Sequence, residues 1–540
     1  MIKVTRPIFY FFVGALLFFF SGCQKTKTKQ NTSMLQTNQE EVKYRPKLHF
    51  TPTKNWMNDP NGLFYLKGTY HLYFQHHPDS NVWGPMHWGH ATSTDLIHWK
   101  EHPIALAPDR LGTIFSGSAV VDHQNTSGLG SLENPPIIAI YTNHDAEAAE
   151  QGSTTFQTQS IAYSLDEGYT WEKYSNNPVI KNPGIQDFRD PKVIWMESQK
   201  KWVLILAAGQ ETQFYSSKNL IDWNFESRFG EGVGNHEGVW ECPDLFPMQI
   251  KETGQIKWVH LVSINPGGPN GGSATQYFIG DFDGKVFTLD PEFKSRMDEK
   301  HTYWVDFGRD NYAGVTFANW KDPEGNPLFI GWMSNWQYAP QVPTTGWRST
   351  MTLPRILELV QTNKGPLLRS SLAPDFKSIT AKKGTVPEML LEEKKTVIPP
   401  GEIDLSAAQI TIHLKELAPT RYTFQLSNSK GETLSFGYDH QKKRFFIDRS
   451  ASGETRFSPA FAAQQSLAPR FREESTLTLK MVLDKTSIEL FMDEGETVMT
   501  EIFFPQAPYE KVVVSADQKT ATKISADYHE FNPQLEKPTN

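Results

Sequence analysis

Three acidic side chains in this sequence could together hydrolyse a glycosidic bond. They are Asp59 in Asn-Asp-Pro, Asp190 in Arg-Asp-Pro and Glu241 in Glu-Cys-Pro-Asp. That reaction needs one carboxylate to attack or stabilise the anomeric carbon and one protonated carboxyl group to serve the departing oxygen. Because the three residues are far apart in sequence, they can act together only if the fold brings them to one site. The structural alternative is that Asp59 caps its own turn and Asp190 is a salt-bridged turn residue.

The stretch around Asp59, residues 56–62, reads W-M-N-D-P-N-G and predicts a tight turn. Proline fixes φ and Asn-Gly tolerates positive φ, so such a turn would hold the carboxylate rigidly. A second turn is predicted at Lys67 and Gly68, and the alternation of residues 70–75 predicts a strand.

A weak repeat in the first part of the chain predicts how distant residues could meet. Residues 93–99 (S-T-D-L-I-H-W) resemble residues 217–223, and residues 164–171 are a looser copy; each ends in Trp. Residues 277–282 and 329–334 could be the matching strands of two further repeats. Antiparallel repeats at such intervals predict a propeller of five blades, whose strands converge on an axial funnel.

The second part of the chain has a different pattern. No tryptophan follows Trp347, and strand-like runs continue at residues 409–414, 421–426 and 476–481, with others up to residue 515. Alternation with regular turns predicts a β-sandwich. The predicted fold class is therefore all-β, with a five-bladed β-propeller catalytic domain at 45–365 and a sandwich at 366–540 in which no catalysis is expected.

Length and charge narrow the function classes. The chain has 540 residues, too many for one ordinary core, which agrees with two domains. The net charge is −8, so there is no basic footprint for nucleic acid. Aromatic residues make up 13% of the chain, enough to fill a core and line a sugar site.

The N-terminus resembles a bacterial lipoprotein signal. Lys3 and Arg6 precede an apolar run at residues 8–20, and Ser-Gly stands directly before Cys23, although Phe20 departs from the usual Leu. This resemblance implies a signal peptide at 1–22, a lipidated Cys23 and a flexible tether at 23–44, on the periplasmic or cell-surface face of a membrane. An uncleaved anchor or ordinary secretion remains the alternative.

Cysteine and histidine usage gives no support for a metal or a disulfide. Cys242 is the other cysteine, so no intramolecular disulfide is expected if Cys23 carries lipid. The sequence has no Cys-x-x-Cys pair and no convincing Cys/His spacing for zinc. The histidines of the first strands are interpreted as packing or hydrogen-bonding residues: His71, His76, His77, His87 and His90.

Five motifs in order resemble glycoside hydrolase family 32, the family of invertases, levanases and inulinases. They are W-M-N-D-P-N-G, residues 83–91 (W-G-P-M-H-W-G-H-A), residues 115–118 (F-S-G-S), Arg-Asp-Pro and Glu-Cys-Pro-Asp. Residues 487–491 (S-I-E-L-F) resemble the sandwich of that family. Five ordered motifs are far more specific than any one of them.

The resemblance implies a role for each matching residue. Asp59 matches the nucleophile, which gives a covalent fructosyl-enzyme and overall retention. Glu241 matches the acid/base and must be protonated when the leaving oxygen departs. Asp190 matches the transition-state stabiliser, and Arg189 would balance charge. Cys242 is interpreted as a small buried residue, and Asp244 is not assigned to catalysis.

Other positions match the fructose-binding subsite of the family, where amides suit hydroxyl groups and aromatic faces suit C–H surfaces. They are Asn58, Gln75, Trp83, Phe115 and Ser116. Trp336 is predicted to add an aromatic wall from a late blade, whereas Trp332 could be core.

The activity implied is exo-hydrolysis of terminal β-D-fructofuranosyl residues of levan, inulin, fructo-oligosaccharides and sucrose, without a metal or organic cofactor. Alternatives are an endo-levanase, a fructosyltransferase that shares the covalent intermediate, and a non-catalytic fructan-binding lipoprotein. A related five-bladed family that acts on arabinose or xylose polymers fits the motifs less well. Linkage preference and oligomeric state are not determined by the sequence.

Overall fold

A computed structural model describes residues 43–297 and 303–534 of the chain. The predicted signal peptide, Cys23 and residues 24–42 of the predicted tether lie outside these described residues. Within them, no helix is long and apolar enough to cross a membrane.

The first part of the chain forms five sheets in sequence order, in which strands that follow one another within a blade are antiparallel. The first sheet contains β1 (Asn55–Leu66), β2 (Thr69–His77), β3 (His87–Ser93) and β4 (Lys100–Leu106). The second contains β5 (Thr113–Val121), β6 (Ile137–His144), β7 (Gln157–Ser164) and β8 (Glu172–Lys173). The third contains β9 (Phe188–Met196), β10 (Lys201–Ala208), β11 (Thr212–Ser217) and β12 (Asn224–Phe229).

The last two sheets complete the set. The fourth contains β13 (Val239–Gln249), β14 (Ile256–Asn265), β15 (Ala274–Phe282) and β16 (Phe287–Leu289). The fifth begins with β17 (Tyr312–Thr316) and β18 (Leu328–Met333); β19 (Trp347–Arg348) then pairs with β1, β20 (Thr350–Met351) pairs with β18, and β21 (Arg355–Thr362) and β22 (Gly365–Leu372) complete the sheet.

The innermost strands of the five sheets close into a ring. β1 contacts β5, β5 contacts β9, β9 contacts β13, β13 contacts β17, and β17 contacts β1. The ring is tied by β19, which runs parallel to β1 and pairs Asn55 with Trp347 and Trp56 with Arg348. The predicted five-bladed β-propeller is therefore confirmed.

The sequence repeat marks one turn in three successive blades. Residues 93–99, 164–171 and 217–223 each connect the third strand of a blade to the fourth. In each turn the hydroxyl oxygen of the first serine accepts a backbone N–H three or four residues later, at 2.8, 2.9 and 2.9 Å. Residues 277–282 are likewise in a third strand, but residues 329–333 are in the second strand of the fifth blade.

The second part of the chain is a sandwich of two six-stranded sheets, as predicted. One sheet has the order β23-β34-β25-β30-β31-β32 and the other has the order β24-β33-β26-β27-β28-β29, with these bounds: β23 (Thr380–Leu390), β24 (Lys394–Ile398), β25 (Ala407–Lys415), β26 (Arg421–Ser427), β27 (Thr433–Asp439), β28 (Arg444–Ala451), β29 (Ser466–Pro469), β30 (Leu477–Asp484), β31 (Ser487–Met492), β32 (Thr497–Ile502), β33 (Lys511–Ala516) and β34 (Lys523–Phe531).

Helical structure is confined to single turns in the described residues. These are α1 (Ala146–Glu150), α2 (Pro291–Ser295) and the 3-10 segments Ala339–Gln341, Phe376–Ile379 and Asp493–Gly495. The predicted domain boundary at residue 365 falls at the first residue of β22, so the outer strand of the fifth blade extends into the segment assigned to the sandwich.

Buried ion pairs join the propeller to the sandwich. Arg355 of β21 pairs with Glu489 of β31 at 2.5 Å and with Asp306 at 2.9 Å, and all three side chains are at most 2% exposed. His49 lies between Asp484 at 2.9 Å and Glu489 at 2.8 Å. Although burial opposes the charge, these two carboxylates raise the pKa of His49 to about 9.

Candidate active site

The stretch around Asp59 is a bulged strand rather than the tight turn that the sequence predicts. Residues 58–62 lie inside β1, whose pairing with β2 shifts register between Met57 and Pro60 and again between Asn61 and Phe64. These bulges accommodate the turn-forming residues within the strand, since β1 pairs with β2 on both sides of them. Gly62 has φ of 53°, and a Cβ there would lie 2.8 Å from the Trp88 ring, so the site requires glycine.

All ten predicted catalytic and subsite residues line one pocket of about 330 Å³. They come from the inner strands of the first four blades, from β2 and the β2–β3 loop, and from the fifth-blade segment after β18: Asn58, Asp59, Gln75, Trp83, Phe115, Ser116, Arg189, Asp190, Glu241 and Trp336. The propeller therefore brings together residues that lie up to 278 positions apart (336 − 58).

Asp59 is fixed by hydrogen bonds from Ser116, Asn58 and Cys242. Its Oδ2 accepts from the Ser116 hydroxyl at 2.6 Å, and its Oδ1 accepts from the Asn58 amide at 3.0 Å. Burial raises the pKa of Asp59, and the charge of Glu241 adds to this, whereas the hydrogen bonds from Ser116 and Asn58 oppose it. These contacts hold the carboxylate in one orientation.

Asp190 has a strained backbone, with φ of 63°, and is 6% exposed. Its N–H donates to Thr142 Oγ1 at 3.0 Å, and its Oδ2 accepts from the Cys242 N–H at 3.0 Å. Burial raises the pKa of Asp190; Arg189 opposes this, and the charges of Glu241 and Asp59 add to it. Two neighbouring strands therefore hold this residue in a conformation that it would otherwise avoid.

Glu241 is held by a cation and a phenol. Arg189 donates to Glu241 Oε1 through Nη2 at 2.9 Å, and the Tyr312 hydroxyl donates to Oε2. Arg189 also pairs with Asp187 at 2.6 Å, and its Nε lies 3.8 Å from Asp190. Its charge is therefore shared among three carboxylates.

Cys242 lies between two of the acids. Its Sγ is 3.5 Å from Asp59 Oδ2 and 3.6 Å from Asp190 Oδ2, and it is a free, buried cysteine. Burial and the surrounding carboxylates raise the pKa of the thiol well above its ordinary value. Cys242 is thus a neutral donor behind the acids, in agreement with its interpretation as a small buried residue.

Aromatic side chains form the pocket walls. Trp83 is 45% exposed and meets Phe115 edge-on, with 6.1 Å between ring centroids. Trp336 stacks on Trp56 at 5.7 Å, whereas Trp332 is fully buried in the core. The structure thus assigns Trp336 to the pocket and Trp332 to the interior.

Sequence reasoning missed several pocket residues. Asp187, His144, Phe156, Gln157 and Asn265 also line the pocket. Asp187 could have been predicted as a pocket residue because it stands two residues before Arg189, whereas the others lie outside any motif. His144 stacks on Phe115 at 4.2 Å, and burial together with the charge of Arg189 lowers its pKa to about 4.

Asp244, the last residue of Glu-Cys-Pro-Asp, is structural. It is fully buried, accepts from Thr316 N–H at 2.6 Å and pairs with Lys192 at 3.1 Å. Among residues 43–297 and 303–534, no cluster of three or more His, Cys, Asp or Glu side chains is arranged to hold a metal ion.

Comparison with known families covers nearly all of the described chain. Residues 49–371 match the profile of the "Glycosyl hydrolases family 32 N-terminal domain", and residues 376–530 match that of the "Glycosyl hydrolases family 32 C terminal". The division between the two matches lies between β22 and β23.

Individual relatives agree with these matches. The chain is 43% identical to a levanase of Bacillus subtilis over 86% of its own length and 66% of that protein. It is 39% identical to an extracellular exo-inulinase of Aspergillus niger over 86% of its length and 90% of that protein. The crystal structure of an exo-inulinase from Aspergillus awamori superposes with a TM-score of 0.82 at 34% identity, covering 91% of this chain and 99% of that one. The chain belongs to glycosyl hydrolase family 32.

Proposed function

We propose that this protein is an exo-acting, retaining β-fructosidase that releases terminal β-D-fructofuranosyl residues from levan, inulin, fructo-oligosaccharides and sucrose. The observation that carries the proposal is the meeting of Asp59, Asp190 and Glu241 in one pocket. Its volume of about 330 Å³ is at the small end for ligand sites, which suits one terminal sugar rather than a chain in transit. The levanase and exo-inulinase relatives support the substrate class.

In the first step, Asp59 attacks C2 of the terminal fructosyl unit. The ester bond to Asp59 forms as the bond to the leaving oxygen breaks, and Glu241 gives its proton to that oxygen. The hydrogen bonds from Ser116 and Asn58 favour the ionised nucleophile. Because Arg189 is shared with Asp187 and Asp190, Glu241 does not hold this cation alone.

In the second step, water replaces Asp59. Glu241 takes a proton from the water, whose oxygen attacks C2 and breaks the ester bond. Two displacements at C2 retain the configuration of the released fructose. Asp190, fixed by Cys242 N–H, is proposed to bind sugar hydroxyl groups whose positions matter most in the transition state.

The test is a time course of products from levan, inulin and sucrose. Fructose is expected as the sole early product from levan and inulin, and equimolar glucose and fructose are expected from sucrose; all of these products are expected to be lost in Asp59→Asn and Glu241→Gln. Matched controls are Asp517→Asn and Glu510→Gln, which change exposed acids in the sandwich. Oligosaccharides as first products would indicate an endo-levanase, and tight fructan binding without hydrolysis would indicate a binding protein; either would contradict the proposal.

We also propose that the mature chain is anchored by lipid at Cys23, on the periplasmic or cell-surface face of a membrane. The Ser-Gly-Cys motif after an apolar run supports this, and one relative is described as extracellular. In cells, Cys23→Ser is expected to move the protein from the membrane fraction to the soluble fraction and to abolish labelling by radioactive palmitate. Unchanged fractionation and labelling would contradict the anchor.

A further inference from the structure

The propeller has a second cavity at the opposite end of its inner strands from the active-site pocket. β9 contributes Asp190 to the pocket and residues 192–196 to this cavity, and β13 contributes Glu241 to the pocket and residues 245–247 to the cavity. At about 3.3 Å per residue, the five positions from Asp190 to Trp195 correspond to roughly 17 Å. The two sites are therefore separate.

The second cavity is larger and rich in tryptophan. Its volume is about 870 Å³, against about 330 Å³ for the pocket. Trp195, Trp258 and Trp320, from the third, fourth and fifth blades, are partly exposed and line it, and Trp202 packs behind Trp195 with centroids 4.8 Å apart. Three indole rings thus surround one space.

Polar side chains with free hydrogen-bonding capacity border these rings. His123 and Gln124 follow β5, and Asn319 and Lys321 follow β17; all four are exposed. Within the described part of the chain, their side chains make no hydrogen bond or ion pair. They can therefore bind hydroxyl groups without breaking an existing contact.

The inner end of the cavity is closed by a compensated ion pair. Lys192 Nζ donates to Thr316 O at 2.6 Å and lies 3.1 Å from Asp244 Oδ2. Both charged side chains are at most 7% exposed. Because these two charges neutralise each other, the inner end of the cavity presents no net charge to a ligand.

We propose that this cavity is a second carbohydrate-binding site, which takes an internal segment of a β-fructan chain. The choice of polymer rests on the proposed function. Indole faces bind the C–H surfaces of sugars, while amides, imidazole and ammonium groups bind hydroxyl groups. A polymer held here keeps its ends at a high local concentration near the catalytic pockets. Its kcat/KM should therefore be raised relative to that of a small substrate.

The test compares levan with sucrose in Trp195→Ala and Trp320→Ala. The ratio of kcat/KM for levan to that for sucrose is expected to fall about tenfold in both variants. Phe225→Ala is the control, since Phe225 is 50% exposed and lines neither site. An unchanged ratio in both tryptophan variants would overturn the second site.

A binding measurement provides an independent outcome. In the Asp59→Asn protein, calorimetric titration with a short fructo-oligosaccharide is expected to show two molecules bound per chain, and one after Trp320→Ala is added. One molecule per chain before that change would overturn the proposal. If the wild-type protein hydrolyses both substrates while these tests fail, the proposed function stands; if it hydrolyses neither, the proposed function itself is wrong.

Discussion

Two clusters of buried charged side chains in this molecule differ in their ratio of acidic to basic groups. In the pocket, Asp187, Asp190 and Glu241 pair with the guanidinium group of Arg189, and Asp59 lines the same pocket, so carboxylates are in excess. Burial and mutual repulsion raise the pKa of Asp59 and of Asp190. The ionised forms of these two carboxyl groups are therefore costly in the pocket, as is common at functional sites.

At the junction of propeller and sandwich, the same residue types are more nearly matched. Arg355 pairs with Glu489 and Asp306, and His49 pairs with Glu489 and Asp484, so two cations meet three carboxylates. Although burial opposes the charge, Arg355 and His49 lower the pKa of Glu489 to about 2, and His49 lowers that of Asp484. These groups keep their charges across the working pH range and hold two domains together. The comparison shows that charge balance separates a chemical site from a structural one.

The largest effect should come from the pocket. Asp59→Asn is expected to lower kcat on sucrose by a factor on the order of 10⁴, because it removes the proposed nucleophile. Since the raised pKa means that the ionised carboxylate is disfavoured in the folded state, the free energy of unfolding at neutral pH should stay the same or rise. Initial rates measure kcat, and urea unfolding measures the free energy of unfolding. A clear loss of stability would contradict the view that the pocket charges are not stabilising.

A substitution at the junction should lower stability, in contrast to Asp59→Asn. Arg355→Met leaves Glu489 and Asp306 without their shared cation and should lower the free energy of unfolding by about 3–5 kcal/mol. Arg456→Met, at a side chain that is 91% exposed, is the control and should have little effect. Equal urea midpoints for the two variants would show that the junction charges do not stabilise the fold.

The pH dependence of stability should follow His49. Its folded-state pKa of about 9 exceeds its ordinary value of 6.5, so its contribution is fully present below pH 6.5 and is lost as the pH rises through 9. Urea midpoints measured from pH 6 to 10 should therefore fall over this window. In His49→Gln the urea midpoint at pH 6 should be lower, and it should decline less between pH 6 and 10. An unchanged decline would show that groups other than His49 cause the pH dependence.

The smallest effect concerns the phenol beside Glu241. Tyr312→Phe removes the hydroxyl that donates to Oε2 and should lower kcat about tenfold and shift the pH–rate profile. Tyr141→Phe is a matched control, since the Tyr141 hydroxyl is also buried and has no hydrogen-bond partner among the described residues. If the two variants have the same pH–rate profile, Tyr312 does not position the acid.

The sequence predicts residues that carry chemistry better than those that hold them. The motifs around Asp59, Asp190 and Glu241 pointed to residues that the fold brings into one pocket, because the proposed chemistry requires particular residue types at those positions. The bulges in β1 were missed because Asn-Asp-Pro-Asn-Gly favours a turn locally, and pairing with β2 overrides this preference.

Partners that meet only through the closed ring could not be predicted from spacing. Tyr312 stands in no motif and reaches Glu241 because β17 follows β13 around the axis. The Arg355–Glu489 pair joins residues 134 positions apart and depends on how the sandwich docks. Such contacts follow from tertiary structure rather than from local propensity.

The central claim is that Asp59 forms a covalent bond to the sugar and that Glu241 serves the leaving group. A Glu241→Ala protein can be mixed with a β-fructofuranosyl donor whose leaving group needs no protonation, quenched rapidly and digested. Mass spectrometry should then find one hexosyl unit on the peptide that contains Asp59, because the acylal ester forms but no base activates water to break it. A hexosyl unit on a peptide containing Asp190, or none while the leaving group is released in a burst, would contradict the account.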